Sequence, residues 1–175
     1  MTLLEIFYYV IGYLYSLILG HYLIRWFSQT AWQALGEVKD GEKDMPYRWT
    51  SSLSGLIERA IYTSSIIFGA KEFIAVWLAF KVASQWKRWE APKDVDKSRA
   101  SFHVFVIGAG LSLMYGALGG MIPLWLTNGD FWVAGLLAVG VVGLNLCFYS
   151  VARKNKPARR KQERLESEVQ EKIDG

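Results

Sequence analysis

The chain has 175 residues, of which 52% are hydrophobic, and it carries a net charge of +4 and a single cysteine, Cys147. One cysteine excludes an intramolecular disulfide and a metal cluster built on cysteines. Four apolar stretches approach the roughly 20 residues that a helix needs to cross the hydrocarbon core of a bilayer. The positive charge is therefore interpreted as a membrane pattern and not as a nucleic-acid signal.

The sequence predicts an all-α, polytopic integral membrane bundle of about five transmembrane helices, followed by a charged tail. The predicted helices cover residues 3–27, 53–69, 72–89, 102–126 and 131–151, within a membrane domain of residues 1–152. The N-terminal stretch has no basic region and no cleavage site after its apolar run. We therefore expect the first helix to be retained and not removed as a signal peptide.

The first predicted helix is dense in tyrosine and ends in polar and aromatic residues. His21 and Arg25 are four residues apart, so they share one face of the helix. Trp26 suits the membrane–water interface, where tryptophan is enriched. The loop that follows, residues 28–52, is charged and interrupted by glycine. It is predicted to be a solvated surface loop without a functional site.

The second and third predicted helices form a short hairpin around Ala70, which either spans the membrane or re-enters it from the cytoplasmic side, and both arms carry full charges. Glu58 and Arg59 lie in the first arm and Lys81 lies in the second. Glu58 and Lys81 are 12 and 11 residues from Ala70, so an antiparallel hairpin brings them to the same depth. Ionisable side chains inside membrane spans usually face the bundle interior. We expect Glu58 to point inward, with Lys81 or Arg59 as its partner.

The fourth predicted helix has small residues at steps of three and four, which places them on one face. These residues are Gly108, Ser112, Gly116, Gly119 and Gly120. Such a face lets another helix approach closely, so it is the predicted helix-packing or oligomer face. Pro123 is expected to bend or end this helix. The fifth helix carries Gly135, Gly140 and Gly143, so the two helices are predicted to form a second, closely packed hairpin.

The distribution of basic residues predicts that the N-terminus lies outside and the C-terminus inside. Lysine and arginine concentrate in residues 28–52, residues 87–101 and the tail, whereas the predicted outside segments contain only Lys71. Cytoplasmic segments of membrane proteins carry this excess. The tail, residues 153–175, is basic up to Arg164. We expect it to contact anionic lipid or a cytoplasmic protein.

With this orientation, polar residues from all five helices fall in one layer of the cytoplasmic leaflet. They are His21, Glu58, Arg59, Lys81, His103 and Asn145. One interpretation is structural, because Glu58 and Lys81 can pair to hold the hairpin in register while Arg59 extends towards the headgroups. The other is a functional polar site, because ionisable groups within spans often mark one.

Three hypotheses about function follow from the sequence. The first is a small, non-enzymatic subunit or homo-oligomeric bundle of a membrane complex. The second is a small ion or proton channel or transporter that uses Glu58, Arg59, Lys81 and His21. The third is a haem b protein with His21 and His103 as its two axial ligands. Only this third hypothesis requires a cofactor or a metal.

The sequence contains no phosphate-binding loop, zinc-ligand spacing or nucleophile motif. General acid–base chemistry would depend on Glu58 and His21 alone, so we expect no enzymatic activity. The expected partners are the lipid bilayer and either further copies of the chain or other membrane subunits, with no nucleic acid. The predicted location is the inner membrane of a bacterium, as a multi-pass protein.

Overall fold

The computed structural model describes the backbone of residues 2–34, 48–90 and 95–174, and the side chains of residues 2–34, 52–84 and 102–154. Five helices lie within these residues: α1 Leu3–Ala34, α2 Arg48–Ile67, α3 Glu72–Glu90, α4 Val95–Asn128 and α5 Phe131–Asp174. No strand occurs in this part of the chain, so the predicted all-α architecture is confirmed. Each predicted helix is present, and most of them extend further than predicted.

The helices are arranged around α4, which contacts all four others. α1 contacts α2, α4 and α5, whereas α3 lies at the edge of the bundle against α2 and α4. The N-terminal end of α1 starts with a capping box, in which the Glu5 N–H donates to Thr2 Oγ1 at 3.3 Å and the Thr2 N–H donates to Glu5 Oε2 at 3.0 Å. This reciprocal pair satisfies two of the backbone donors that a helix start leaves free.

A π-helical segment, Leu14–Leu19, interrupts α1. Such segments are rare and occur frequently at functional sites. Here the segment lies between Tyr13, which bonds to α2, and Gly20, which packs against α2 and α4. The apolar pattern of this stretch is as compatible with an α-helix as with a π-helix, and the sequence predicted a regular helix.

Two tight turns join helices at the same end of the bundle. Gly69 and Gly129 have φ angles of 72° and 86°, which residues with a Cβ rarely adopt. After α2, the Ala70 N–H donates to the Ser65 carbonyl at 2.8 Å. An equivalent bond follows α4, so both helices end in a Schellman motif. The sequence placed both turns correctly because glycine is the residue that this helix ending favours.

α1 and α2 approach α4 so closely that three of its positions have no room for a side chain. A Cβ at Gly116 would lie 2.5 Å from the Cβ of Tyr62, and a Cβ at Gly119 would lie 2.6 Å from the Cβ of Ser16. Gly120 is equally close to α2. The predicted packing face of α4 is therefore occupied within the chain, and it is not free for a second copy.

The other small residues divide between the inside and the outside of the bundle. Ser112 is buried, and Gly108 faces Ser28 of α1. An added Cβ would meet nothing within 4 Å at three glycines of α5, namely Gly135, Gly140 and Gly143. Close glycine contacts therefore do not hold α4 and α5 together. Larger side chains do so, among them Leu118 and Val141.

Pro123 does not end α4, which continues to Asn128. Because proline has no N–H, the carbonyl of Gly119 lacks its usual donor four residues on. That carbonyl oxygen is the nearest atom to the position that a Cβ would take on Gly12 of α1.

α5 also continues without a break through the predicted tail. Its 44 residues correspond to a length of about 66 Å.

Apolar side chains cover much of the outside of the bundle, and buried polar side chains lie within it beside two apolar clusters. Trp132 and Leu136 are 90% and 74% exposed, whereas Ser16 and Thr63 are fully buried. Among the described residues, three helices are long and apolar enough to cross a membrane: Leu3–Ala34, Phe102–Asn128 and Phe131–Lys154. The hairpin of α2 and α3, which carries the charged residues, is not one of the three.

Candidate functional site

An ion pair between α2 and α3 forms the centre of the candidate site. Lys81 Nζ lies 2.7 Å from one carboxylate oxygen of Glu58 and 2.8 Å from the other. The contact predicted from the hairpin register is therefore present. Glu58 is 2% exposed, so water screens this pair only weakly. The Lys81 ammonium also lies 5.2 Å from the ring centroid of Phe105 on α4, a distance at which a cation is attracted to the ring.

Arg59 is also only 2% exposed, but it points towards α1. Its Nη2 lies 3.4 Å from Nδ1 of His21, which can only accept the bond because guanidinium nitrogens are donors. At that distance the bond is weak. The Cδ of Arg59 lies 3.2 Å from the position of a Cβ on Gly20, so this glycine makes room for the arginine. Among the described residues, Arg59 has no carboxylate within ion-pair distance.

Asn145 of α5 lies at the same level of the bundle. The rings of Trp26 and Tyr149 stack with their centroids 3.8 Å apart, which fixes the register between α1 and α5. The Tyr15 hydroxyl donates to the Ala138 carbonyl at 2.8 Å in the same register. This alignment places Asn145 beside the turn that contains His21. Asn145 is completely buried, and neither Oδ1 nor Nδ2 has a partner among the residues that the structure describes.

Two separate groups of hydroxyl contacts lie between the level of the ion pair and the glycine turns. The Thr63 hydroxyl lies 2.8 Å from Ser16 Oγ and 3.0 Å from the Gly116 carbonyl oxygen. Beyond it, Tyr13 and Ser64 share a hydrogen bond of 2.7 Å. The sequence analysis did not single out these hydroxyls. Serine and threonine are common at helix interfaces in membranes, but nothing local shows which of them will meet.

Several other polar atoms around this layer are buried without a hydrogen-bond partner among the described residues. They are Arg59 Nε, Tyr62 OH, Trp77 Nε1, Ser112 Oγ, Tyr115 OH and both amide atoms of Asn145. Buried polar groups are nearly always paired, so each of these needs an explanation. Tyr62 lies one turn from Glu58 on α2. Residues at this spacing lie on the same helix face, so the sequence alone could have predicted that Tyr62 belongs to the polar layer.

The structure does not bring His103 to the layer. It is exposed, and its ring lies edge-on to that of Phe102 at 5.8 Å. It precedes Tyr115 by 12 residues along α4 (115 − 103), which is about 18 Å of helix. Tyr115 packs against Gly20, next to His21. The two histidines are therefore too far apart to ligate one haem iron, and these residues do not fit that cofactor.

An apolar groove of about 380 Å³ lies away from the polar layer, along one face of α1 between Ile6 and Ile18. Its lining offers no charged or metal-ligating side chain. Across the described residues, no three His, Cys, Asp or Glu side chains come close enough together to hold a metal ion. The candidate site is therefore the layer that contains His21, Glu58, Arg59, Lys81 and Asn145.

These features define an all-helical protein with many exposed apolar side chains, a polar and charged layer in its interior, and three helices long and apolar enough to span a membrane. No protein family, characterised protein or solved structure gives a significant match to the chain. Its function is therefore inferred from the geometry of the site.

Proposed function

We propose that the chain is a multi-pass membrane protein and that all five helices lie in the bilayer. The observation that carries this proposal is the Glu58–Lys81 ion pair, whose carboxylate is buried inside a bundle with apolar side chains on its outside. On α3, for example, Val76 and Phe80 are exposed while Lys81 reaches inward. A charge within a membrane is tolerated when it pairs inside the bundle. The α2–α3 hairpin can therefore lie in lipid despite its charges.

The proposed orientation has the N-terminus outside and the C-terminus inside. Both glycine turns lie at one end of the bundle, and Lys71 is the only Lys or Arg residue in them. The basic connecting segments and the tail lie at the other end. This asymmetry supports the orientation, with the polar layer in the cytoplasmic leaflet. The membrane that we propose is the inner membrane of a bacterium. Residues 35–47 and 91–94, and the side chains of the tail beyond Lys154, lie outside the described part of the chain.

Within the membrane, we infer that the protein serves as a non-enzymatic subunit or an oligomeric bundle. The support comes from α5, whose glycines face outward and leave its backbone open to close approach by another helix. Its helix is also about twice as long as a bilayer core is thick. The part beyond Lys154 therefore extends into the cytoplasm, where anionic lipid or a protein partner can meet it.

Gly140→Leu is expected to weaken this association while leaving the chain folded. A leucine there meets no atom of its own chain but covers the exposed backbone of α5. The measurement is the protein mass of the particle after extraction from its membrane in mild detergent, compared with 19.9 kDa for one chain. Gly110→Leu is the matched control, because Gly110 of α4 is equally open. A wild-type particle of one chain with no partner would contradict the proposal.

A second candidate is ion or proton transfer through the polar layer. The observation in its favour is that Glu58, Arg59, Lys81 and His21 meet at one level of the bundle. Ionisable residues arranged in this way are typical of proton relays and ion pathways in membranes.

Glu58→Gln tests this candidate in liposomes that contain the purified protein. We expect a loss of ion or proton flux of at least about tenfold, because the amide removes the charge that binds Lys81. The matched control is Glu72→Gln, which changes an exposed carboxylate at the other end of α3. Equal flux through the wild type and Glu58→Gln would rule out a role for this layer in transport.

A further inference from the structure

The described charges are divided between the two ends of the bundle. The cations exposed at the end that we place on the cytoplasmic side are Arg25, Arg153 and Lys154. The carboxylates at the opposite end are those of Glu5, Glu72 and Asp130. The remaining described carboxylate, that of Glu58, is buried and engaged by Lys81. The described surface of the inner end is therefore positive.

A pair of stacked aromatic rings joins α1 to α5 at this end. The ring centroids of Trp26 and Tyr149 lie 3.8 Å apart, at an interplanar angle of 28°, and Trp26 remains 45% exposed. Tyr149 is 18 residues from Phe131 (149 − 131), where α5 begins, which is about 27 Å of helix. The hydrocarbon core of a bilayer is about 30 Å thick. The pair therefore lies at the inner membrane–water interface, where tryptophan and tyrosine are enriched.

Arg153 lies on the same flank of α5 as this aromatic pair. It follows Tyr149 by four residues, so the two side chains share one face of the helix. Ala152 packs inward, against the buried cluster that contains Phe27. Successive residues are about 100° apart around a helix. Lys154, one residue beyond Arg153, therefore points away from the aromatic pair.

Apolar surface continues from the aromatic pair into the membrane. Tyr22, one turn before Trp26, is 67% exposed, and Leu146, about one turn before Tyr149, is 40% exposed. The seam between α1 and α5 thus presents a cation, then the polar edges of two aromatic rings, then apolar side chains. The headgroup, glycerol region and acyl chain of a phospholipid follow in the same order. A zwitterionic headgroup would bring its own ammonium group to a positive surface, so the match is to a lipid of net negative charge.

We propose that the seam between α1 and α5 binds an anionic phospholipid of the inner leaflet, such as phosphatidylglycerol. Arg153 pairs with the phosphate group. Trp26 and Tyr149 contact the glycerol region, and an acyl chain lies against Tyr22 and Leu146. This inference rests on the proposed orientation in the membrane, and it assigns the inner end of this seam to lipid and not to a protein partner.

The test compares the thermal unfolding midpoint (Tm) of the protein in nanodiscs of phosphatidylcholine and in nanodiscs in which half of the lipid is phosphatidylglycerol. We expect phosphatidylglycerol to raise the Tm by about 4 °C at ten times its dissociation constant. Arg153→Gln should reduce this shift to about 1 °C, because the loss of one charge-assisted hydrogen bond weakens binding about tenfold. Lys154→Gln is the matched control: it removes a neighbouring exposed charge from another flank of α5, so the shift should persist.

If Arg153→Gln does not fold, Trp26→Phe still tests the proposal, because it keeps a ring against Tyr149, removes the indole N–H and should also lower the shift. A wild-type Tm that is equal in the two lipids would overturn the proposal, as would an undiminished shift in either variant. Equal reductions in Arg153→Gln and Lys154→Gln would also overturn it, since the lipid would then respond to overall charge.

Inorganic phosphate added to phosphatidylcholine nanodiscs should leave the Tm unchanged. A shift as large as that of phosphatidylglycerol would overturn the proposal, because the ligand would then be free phosphate. The proposed association with another helix involves Gly140, which is 13 residues before Arg153 (153 − 140) and about 140° away from it around α5. That association is judged by particle mass, so either proposal can fail without the other.

Discussion

Gly116→Leu is expected to prevent the bundle from folding. A Cβ at this position would lie 2.5 Å from the Cβ of Tyr62, so α2 and α4 would have to move apart along their whole contact. Overpacking of a tight core usually costs about 1–3 kcal/mol. Because this clash is so close to the backbone, we expect its free-energy cost to be at or above the top of that range. The measurement is the yield of monodisperse, detergent-solubilised protein, together with its thermal unfolding.

The control for this prediction is Gly110→Leu, a substitution of the same size six residues earlier on α4. An added Cβ at Gly110 meets nothing within 4 Å, so this variant should fold with a Tm close to that of the wild type. Gly116→Ala should fall between the two. If Gly116→Leu folds as well as Gly110→Leu, then α2 and α4 do not pack as closely as described. The polar layer between them would then not be closed either.

Glu58→Ala is expected to be the most damaging single change among the charged residues of the bundle. It leaves Lys81 and Arg59 without their shared carboxylate neighbour. Removing one partner of a buried ion pair typically costs about 3–5 kcal/mol, because the other charge remains buried and unpaired. The Lys81 side chain is 21% exposed, so we expect a loss of about 3 kcal/mol, at the lower end of that range. Denaturant or thermal unfolding in detergent measures it.

A double variant separates the loss of the pair from the loss of packing. Glu58→Leu combined with Lys81→Met replaces the pair with apolar side chains and should recover most of the stability that Glu58→Leu alone removes. Glu72→Ala, at an exposed site on α3, should change the stability little. If Glu58→Leu were as stable as the double variant, Lys81 would not depend on Glu58, and the ion pair would not be a structural centre of the bundle.

The amino-acid sequence by itself determined the helices, the two turns and the central ion pair. Helix number follows from the lengths of the apolar stretches, and both turns follow from glycine at positions that require a positive φ. The pairing of Glu58 with Lys81 follows from counting outward from one tight turn. All of these depend on short stretches of chain, over which helix geometry alone sets which residues meet.

Only the tertiary structure decided how the helices meet across long separations in the sequence. In the folded bundle, Arg59 lies beside His21. The small residues of α4 pack against α1 and α2, whereas the glycines of α5 lie on the outside. The tertiary structure also excluded His103 from the layer, because the contact between α1 and α4 sets Tyr115, and not His103, beside Gly20. The buried hydroxyls of Tyr62 and Tyr115 became visible in the same way. Such contacts depend on the rotation and axial offset of whole helices, which close packing of many side chains sets together.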